Sequence, residues 1–151
     1  MKTLLIVFHT RGVKTAQMAE AVAKGAASEE GVKVRLLRCS DAGPQDVLEA
    51  DGLVLGTPEN FGYMSGMMKD FLERTFYDCE GKVAGRPWAL IVSAGQDGAG
   101  AISSVERIVT GLRLKKVREP ILALKEVTPE ILAQCAELGA TLAAGMAFGV
   151  Y

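Results

Sequence analysis

Apolar and polar positions follow two rhythms along this chain, and the rhythms alternate. Leu4-Leu5-Ile6-Val7-Phe8 is continuously apolar, as a strand buried on both faces requires. From Thr15 to Ser28, Met18, Val22 and Ala26 recur at spacing four, the mark of an amphipathic helix. Val32-Lys33-Val34-Arg35-Leu36 alternates strictly and predicts a strand with one open face. A polar stretch with Pro44 leads to a second continuous run, Gly52-Leu53-Val54-Leu55-Gly56. Ser65 to Phe76 reads as a helix with Met68, Phe71, Leu72 and Thr75 on one side. Ala89-Leu90-Ile91-Val92 is a third continuous run, followed by a helix carrying Ile102, Val105, Ile108, Val109 and Leu112. Lys115 to Leu124 reads as a strand containing Pro120, and a last helix carries Leu132, Cys135, Leu138, Leu142 and Met146.

Strands that alternate with helices predict an α/β protein with a parallel sheet. Continuously apolar strands belong at the centre, and strands that alternate or contain proline belong at the edges. The first, third and fourth strands are continuous, the second alternates, and the fifth holds charges and Pro120. This fits a five-stranded order 2-1-3-4-5 and not 3-2-1-4-5, which would leave the third strand exposed. No repeat, low-complexity tract or linker divides residues 1–151, so one three-layer domain is expected. In the order 2-1-3-4-5 the chain reverses direction between strands one and three, and ligands bind beyond the carboxyl ends of strands at such a switch point.

Three loops reach that point. The first, His9-Thr10-Arg11-Gly12-Val13-Lys14-Thr15, sets hydroxyls, a glycine and two cations at a helix start. Free N–H groups and the helix dipole there suit an anion; a plain turn with Thr15 as N-cap is the other reading. It is not a P-loop, because no glycine directly precedes Lys14-Thr15, nor a dinucleotide fingerprint, because G-x-G-x-x-G is absent after strand one. It lacks the acidic pair of a phospho-receiver and the cysteine of a low-molecular-weight phosphatase. The second loop runs from Gly56 to Gly66 through Pro58, Glu59, Asn60, Phe61, Gly62 and Tyr63. Its aromatics and free N–H groups suit a flat aromatic ligand; alternatively it is a long loop with Ser65 as helix cap and the aromatics in the core. The third, Ser93-Ala94-Gly95-Gln96-Asp97-Gly98, is made of small residues that let backbone approach a ligand, or is simply a glycine-rich turn.

Composition excludes several classes. Seventeen basic and 18 acidic residues leave a net charge of -1, which gives no footprint for nucleic acid or an anionic membrane. Cys39, Cys79 and Cys135 form no C-x-x-C pair and no metal-ligand spacing with the lone His9. They read as free thiols in a reducing compartment, and a cytoplasmic protein with no leader and no membrane span is expected. Cys79 is placed in an exposed loop as a spare thiol, Trp88 in the core, and His9 in a plain role at a strand end. The apolar end, Met146 to Tyr151, packs on the sheet or in a subunit interface; the interface, and so a homo-oligomer, is the expectation.

The segment GTPENFGYMSGMMKDFLERT resembles the loop and helix after the third strand of flavin mononucleotide (FMN) proteins in the flavodoxin superfamily. The similarity is to their NAD(P)H-dependent FMN reductase and quinone oxidoreductase branch. LLIVFHTRGVKTAQMAEAVAKGA is similar to their first strand, phosphate loop and first helix, and SAGQDGAGA to their third flavin loop. The resemblance implies a flavodoxin-like fold with FMN as cofactor. Residues Thr10, Arg11, Gly12, Val13, Lys14 and Thr15 would hold the phosphate. Glu59, Asn60 and Phe61, flanked by Pro58 and Gly62, would contact the ring chiefly through backbone. Ser93, Ala94, Gly95, Gln96, Asp97 and Gly98 would close over it. The implied activity is electron transfer from NADH or NADPH to a quinone or flavin acceptor, the chemistry being the cofactor's, with no acid–base side chain named. The loop departs from the family pattern where Gly12-Val13 replace hydroxyl-Gly. Two other readings stay open. One is a flavodoxin-type one-electron carrier, against which the near-neutral charge speaks. The other is a flavodoxin-fold protein with weakened FMN binding that acts through protein contacts.

Overall fold

A computed structural model describes residues 1–151. The parallel strands are β1 (Lys2–Phe8), β2 (Val32–Arg38), β3 (Gly52–Asn60), β5 (Pro87–Ala94) and a split edge, β6 (Lys115–Lys116) and β7 (Ile121–Leu124). They run in the order β2-β1-β3-β5, with β6 and β7 both paired to β5. This is the expected 2-1-3-4-5 arrangement with two refinements. A two-residue antiparallel strand, β4 (Tyr63–Met64), folds back on the end of β3. The last strand is interrupted between Lys116 and Ile121, where Pro120 has no N–H to give the ladder. The helices are α1 (Lys14–Ala26), α2 (Pro44–Glu49), α3 (Gly66–Cys79), α4 (Ala99–Gly111) and α5 (Pro129–Ala147).

The continuous apolar runs are explained by the two-residue period of a strand. Leu4, Ile6, Val54, Ala89 and Ile91 point into a core shared with α1 and α5. Their neighbours Leu5, Val7, Leu53, Leu55, Leu90 and Val92 point into a second core under α3 and α4. Each central strand is therefore buried on both faces, while β2 turns Val32, Val34 and Leu36 to the α1–α5 side and packs Leu37 against the other. α1 and α5 touch backbone to backbone: a Cβ on Gly139 would lie 2.0 Å from the Val22 carbonyl oxygen.

Some expectations are corrected. Cys79 is not in an exposed loop. It is the last residue of α3, fully buried, with its thiol 3.7 Å from the Pro44 carbonyl. The polar stretch around Pro44 holds α2, whose first turn is held by Asp46 accepting from the Gly43 N–H at 2.9 Å. The strand before the second loop continues to Asn60 instead of ending at Gly56. Trp88 lies in the core as expected. At the chain end Tyr151 packs over Gly145, with the Lys115 ammonium 5.9 Å from its ring, and Phe148 and Val150 stay exposed. No helix is long and apolar enough to cross a membrane.

Candidate functional site

All three loops meet at the carboxyl end of β1, β3 and β5, where the chain reverses between β1 and β3. The first forms one wall of a cleft of about 470 Å³ lined by Thr10 through Thr15, Pro58, Asn60 and Ser93. α1 begins at Lys14, one residue before the anticipated cap, and no side chain caps it. Its first internal bond runs from the Gln17 N–H to the Val13 carbonyl, at 2.9 Å. The N–H groups of Lys14, Thr15 and Ala16 therefore have no partner within the helix. Thr15 is not the N-cap. It sits in the first turn, 1% exposed, with its hydroxyl 2.8 Å from that of Ser93. One proton of that pair serves the pair; the other is left to donate into the cleft. The Thr10 hydroxyl donates to the Gly12 carbonyl at 3.0 Å and closes the loop.

The departure at Gly12-Val13 causes no backbone strain. Val13 has φ -121°, and neither residue is left-handed. Lys14 donates to the Lys125 carbonyl beyond β7.

The second loop is a hairpin. Phe61 (φ 56°) and Gly62 (φ 67°) form its turn, both left-handed, which gives the twist that joins adjacent antiparallel strands. Phe61 is fully exposed at the tip, so the aromatics are not core. The alternation of β3 divides the residues between two clefts. Pro58 and Asn60 face the Thr10–Thr15 loop. Glu59, Phe61 and Gly62 face a cleft of about 450 Å³ with Gly95 and Gln96. Ser65 caps α3 by accepting from the Met68 N–H at 3.1 Å.

Glu59 has a role that no local signal announces. α4 starts at the left-handed Gly98, which has no side chain to cap it. The Glu59 carboxylate accepts from the Gly98 N–H at 3.2 Å and the Ala101 N–H at 3.3 Å. Asp97 adds a bond from the Ala99 N–H at 3.0 Å. The Met64 N–H donates to the Ser104 hydroxyl at 3.1 Å, and a Cβ on Gly100 would lie only 1.7 Å from the Gly62 carbonyl oxygen. The hairpin is thus seated directly on α4. Of the third loop, Ser93, Gly95 and Gln96 line the clefts. Ala94 lies in the core, while Asp97 and Gly98 build the start of α4.

His9 lines neither cleft. Its N–H ties β1 to the Gly56 carbonyl at 3.0 Å. Burial, and then the nearby Arg38 guanidinium, hold its imidazole below the usual histidine range. No group of acidic, histidine and cysteine side chains here can hold a metal ion.

A doubly wound parallel sheet with these loops at its switch point defines a flavodoxin-like protein. Solved structures agree on the fold. A flavodoxin from the domain Archaea superposes with a TM-score of 0.83 at 22% identity, covering 95% of this chain and 98% of that one. The flavodiiron protein of Giardia intestinalis gives 0.84 at 18% identity over 99% of this chain and 37% of its own. Within that class, the chain belongs to the NADPH-dependent FMN reductase family, whose profile matches residues 42–128. A protein named flavodoxin from Aquifex aeolicus (strain VF5) is 39% identical over 112 residues, 74% of this chain and 60% of its own length. An NAD(P)H dehydrogenase (quinone) of Acidithiobacillus ferrooxidans is 32% identical over 115 residues, 62% of this chain and 57% of its own. The chain thus spans about three fifths of the length of these curated relatives.

Proposed function

We propose that this chain binds FMN across the two clefts and passes electrons from NAD(P)H to a quinone or flavin acceptor. The observation that carries the reading is the uncapped start of α1 beside the buried Thr15–Ser93 hydroxyl pair. A phosphate dianion needs several N–H and O–H donors and nearby positive charge. Lys14, Thr15 and Ala16 offer the N–H groups, the hydroxyl pair offers a proton, and Arg11 and Lys14 supply charge. The ring would lie toward Pro58, Asn60 and the Phe61–Gly62 turn, with Gly95 and Gln96 beside it. Because the Glu59 carboxylate is committed to α4, this hairpin would meet the ring through backbone. When bound, the flavin supplies a group that accepts a hydride and releases electrons. Overall, NAD(P)H loses a hydride, and the quinone gains that pair of electrons, its proton and one further proton from solvent.

The relative named flavodoxin supports a second reading, a one-electron carrier. The net charge of -1 favours the enzyme, because a carrier that docks by charge needs a strongly charged face. The three unpaired, buried thiols suit a reducing compartment, and we assign the chain to the cytoplasm. The exposed Phe148 and Val150 would form the contact of a homo-oligomer. Steady-state assay of the FMN-loaded protein with NADH, NADPH and a benzoquinone tests the enzyme reading. Turnover well above that of free FMN is expected; turnover equal to free FMN would sink it.

A further inference from the structure

A third cavity, larger than either cleft, lies outside the phosphate site. It is a groove of about 720 Å³ between α3 and α4, within the range of small-molecule sites. Buried Leu72 and half-buried Phe76 and Ile108 line it, and the exposed Tyr63 and Tyr77 edge it. It runs along α4 from Gly100 to Gly111, roughly 16 Å at the α-helical rise. Gly62 lines both this groove and the cleft of Glu59, Phe61, Gly95 and Gln96. The two therefore adjoin at the hairpin tip, where the flavin's reactive ring would be approached.

We infer that this groove holds the apolar tail of a prenylated quinone whose head is reduced in the adjoining cleft; this rests on the acceptor reading above. The chemistry of the lining chooses between the reaction's two partners. A nicotinamide dinucleotide carries a pyrophosphate and needs cations or N–H donors along its length. The groove offers it the Glu73 carboxylate, a Lys69 ammonium already 2.6 Å from that carboxylate, and the exposed Arg107 as its one unpaired cation. An uncharged hydrocarbon tail has no such requirement and removes apolar carbon from water against Leu72, Phe76 and Ile108. The electron count is unchanged: the quinone head takes two electrons and two protons, and NAD(P)H gives up one hydride.

The test compares two benzoquinones with the same head, one bearing a diprenyl tail and one without it. They are assayed with the FMN-loaded protein and with its Ser103→Phe and Arg107→Ala variants. Ser103 is exposed on the groove wall, so a phenyl ring there fills the groove without touching the core. The expected result is a KM at least tenfold lower for the tailed quinone. Ser103→Phe should abolish that advantage and leave the tail-less kinetics unchanged. A readout independent of turnover is titration of the flavin-free protein with a prenyl alcohol, followed by NMR. Shifts confined to the groove residues Tyr63, Leu72, Phe76, Tyr77 and Ile108 are expected. Equal KM values for the two quinones, with both reduced, would overturn the tail site and leave the enzyme reading standing. A higher KM for NADPH in Arg107→Ala would overturn it in favour of the dinucleotide. If neither quinone is reduced while the prenyl alcohol still shifts the groove residues, the acceptor reading falls and the prenyl site stands.

Discussion

Phe61 carries a bulky side chain on a left-handed backbone and buries none of it. Asparagine fits that conformation better in a two-residue hairpin turn. Phe61→Asn should therefore raise stability by about 0.5–1 kcal/mol in urea denaturation; a fall would show that Phe61 contributes packing the structure lacks. Such strain, left unrelieved at the tip of a ligand loop, is consistent with a side chain placed for what it meets there. His9 gives a pH prediction. The fold favours its neutral form, through burial and then Arg38. As pH falls through the unfolded value of about 6.5, the unfolded chain binds the proton more readily, so stability is lost on acidification and held above it. His9→Gln should flatten the stability profile just below pH about 6.5; an unchanged slope there would contradict the assignment. At this scale the sequence showed which residues gather at the switch point. It did not show that Thr15 pairs with Ser93 or that Lys14 binds the Lys125 carbonyl, because both contacts join residues distant along the chain.

Among the elements, α4 depends on a cap borrowed from another loop. Glu59→Ala removes two N–H acceptors at its start and should cost about 1–2 kcal/mol. Denaturant unfolding of that variant measures it directly, and a change below a few tenths would mean that Asp97 alone suffices. Gly100→Ala drives a Cβ against the Gly62 carbonyl, so the hairpin must lift from α4. Weaker FMN uptake at nearly unchanged phosphate contacts is expected. Long periodic elements were legible from pattern, since a buried strand must be apolar on both faces and a surface helix on one. The short ones were not. The six residues of α2 hold too few turns for a period to register. A Phe-Gly turn lacks the Asn-Gly signature of a hairpin, so β4 read as loop. Cys79 lies in a helix and not a loop because α3 runs three residues beyond Phe76, where its apolar pattern ends.

Over the whole molecule, burial governs the thiols. It pushes Cys39 and Cys135 up to about 12, and raises Cys79 as well. A thiol so far from ionising is a poor nucleophile. A disulfide reagent at mildly alkaline pH should leave all three untouched in the native protein and label three in denaturant. Rapid native labelling of even one would contradict the packing. The sheet order was legible because edge and centre strands differ in pattern; the use of each loop depends on what the fold sets opposite it. The central claim is that the start of α1 holds a phosphate. Titrating flavin-free protein with FMN and with riboflavin, which differ only in that group, tests it most directly. Hydrogen bonds to a charged phosphate are each worth about 1.5–3 kcal/mol, so FMN should bind on the order of ten- to hundredfold more tightly, or better. Equal affinity for the two, or no uptake of either, would contradict the account.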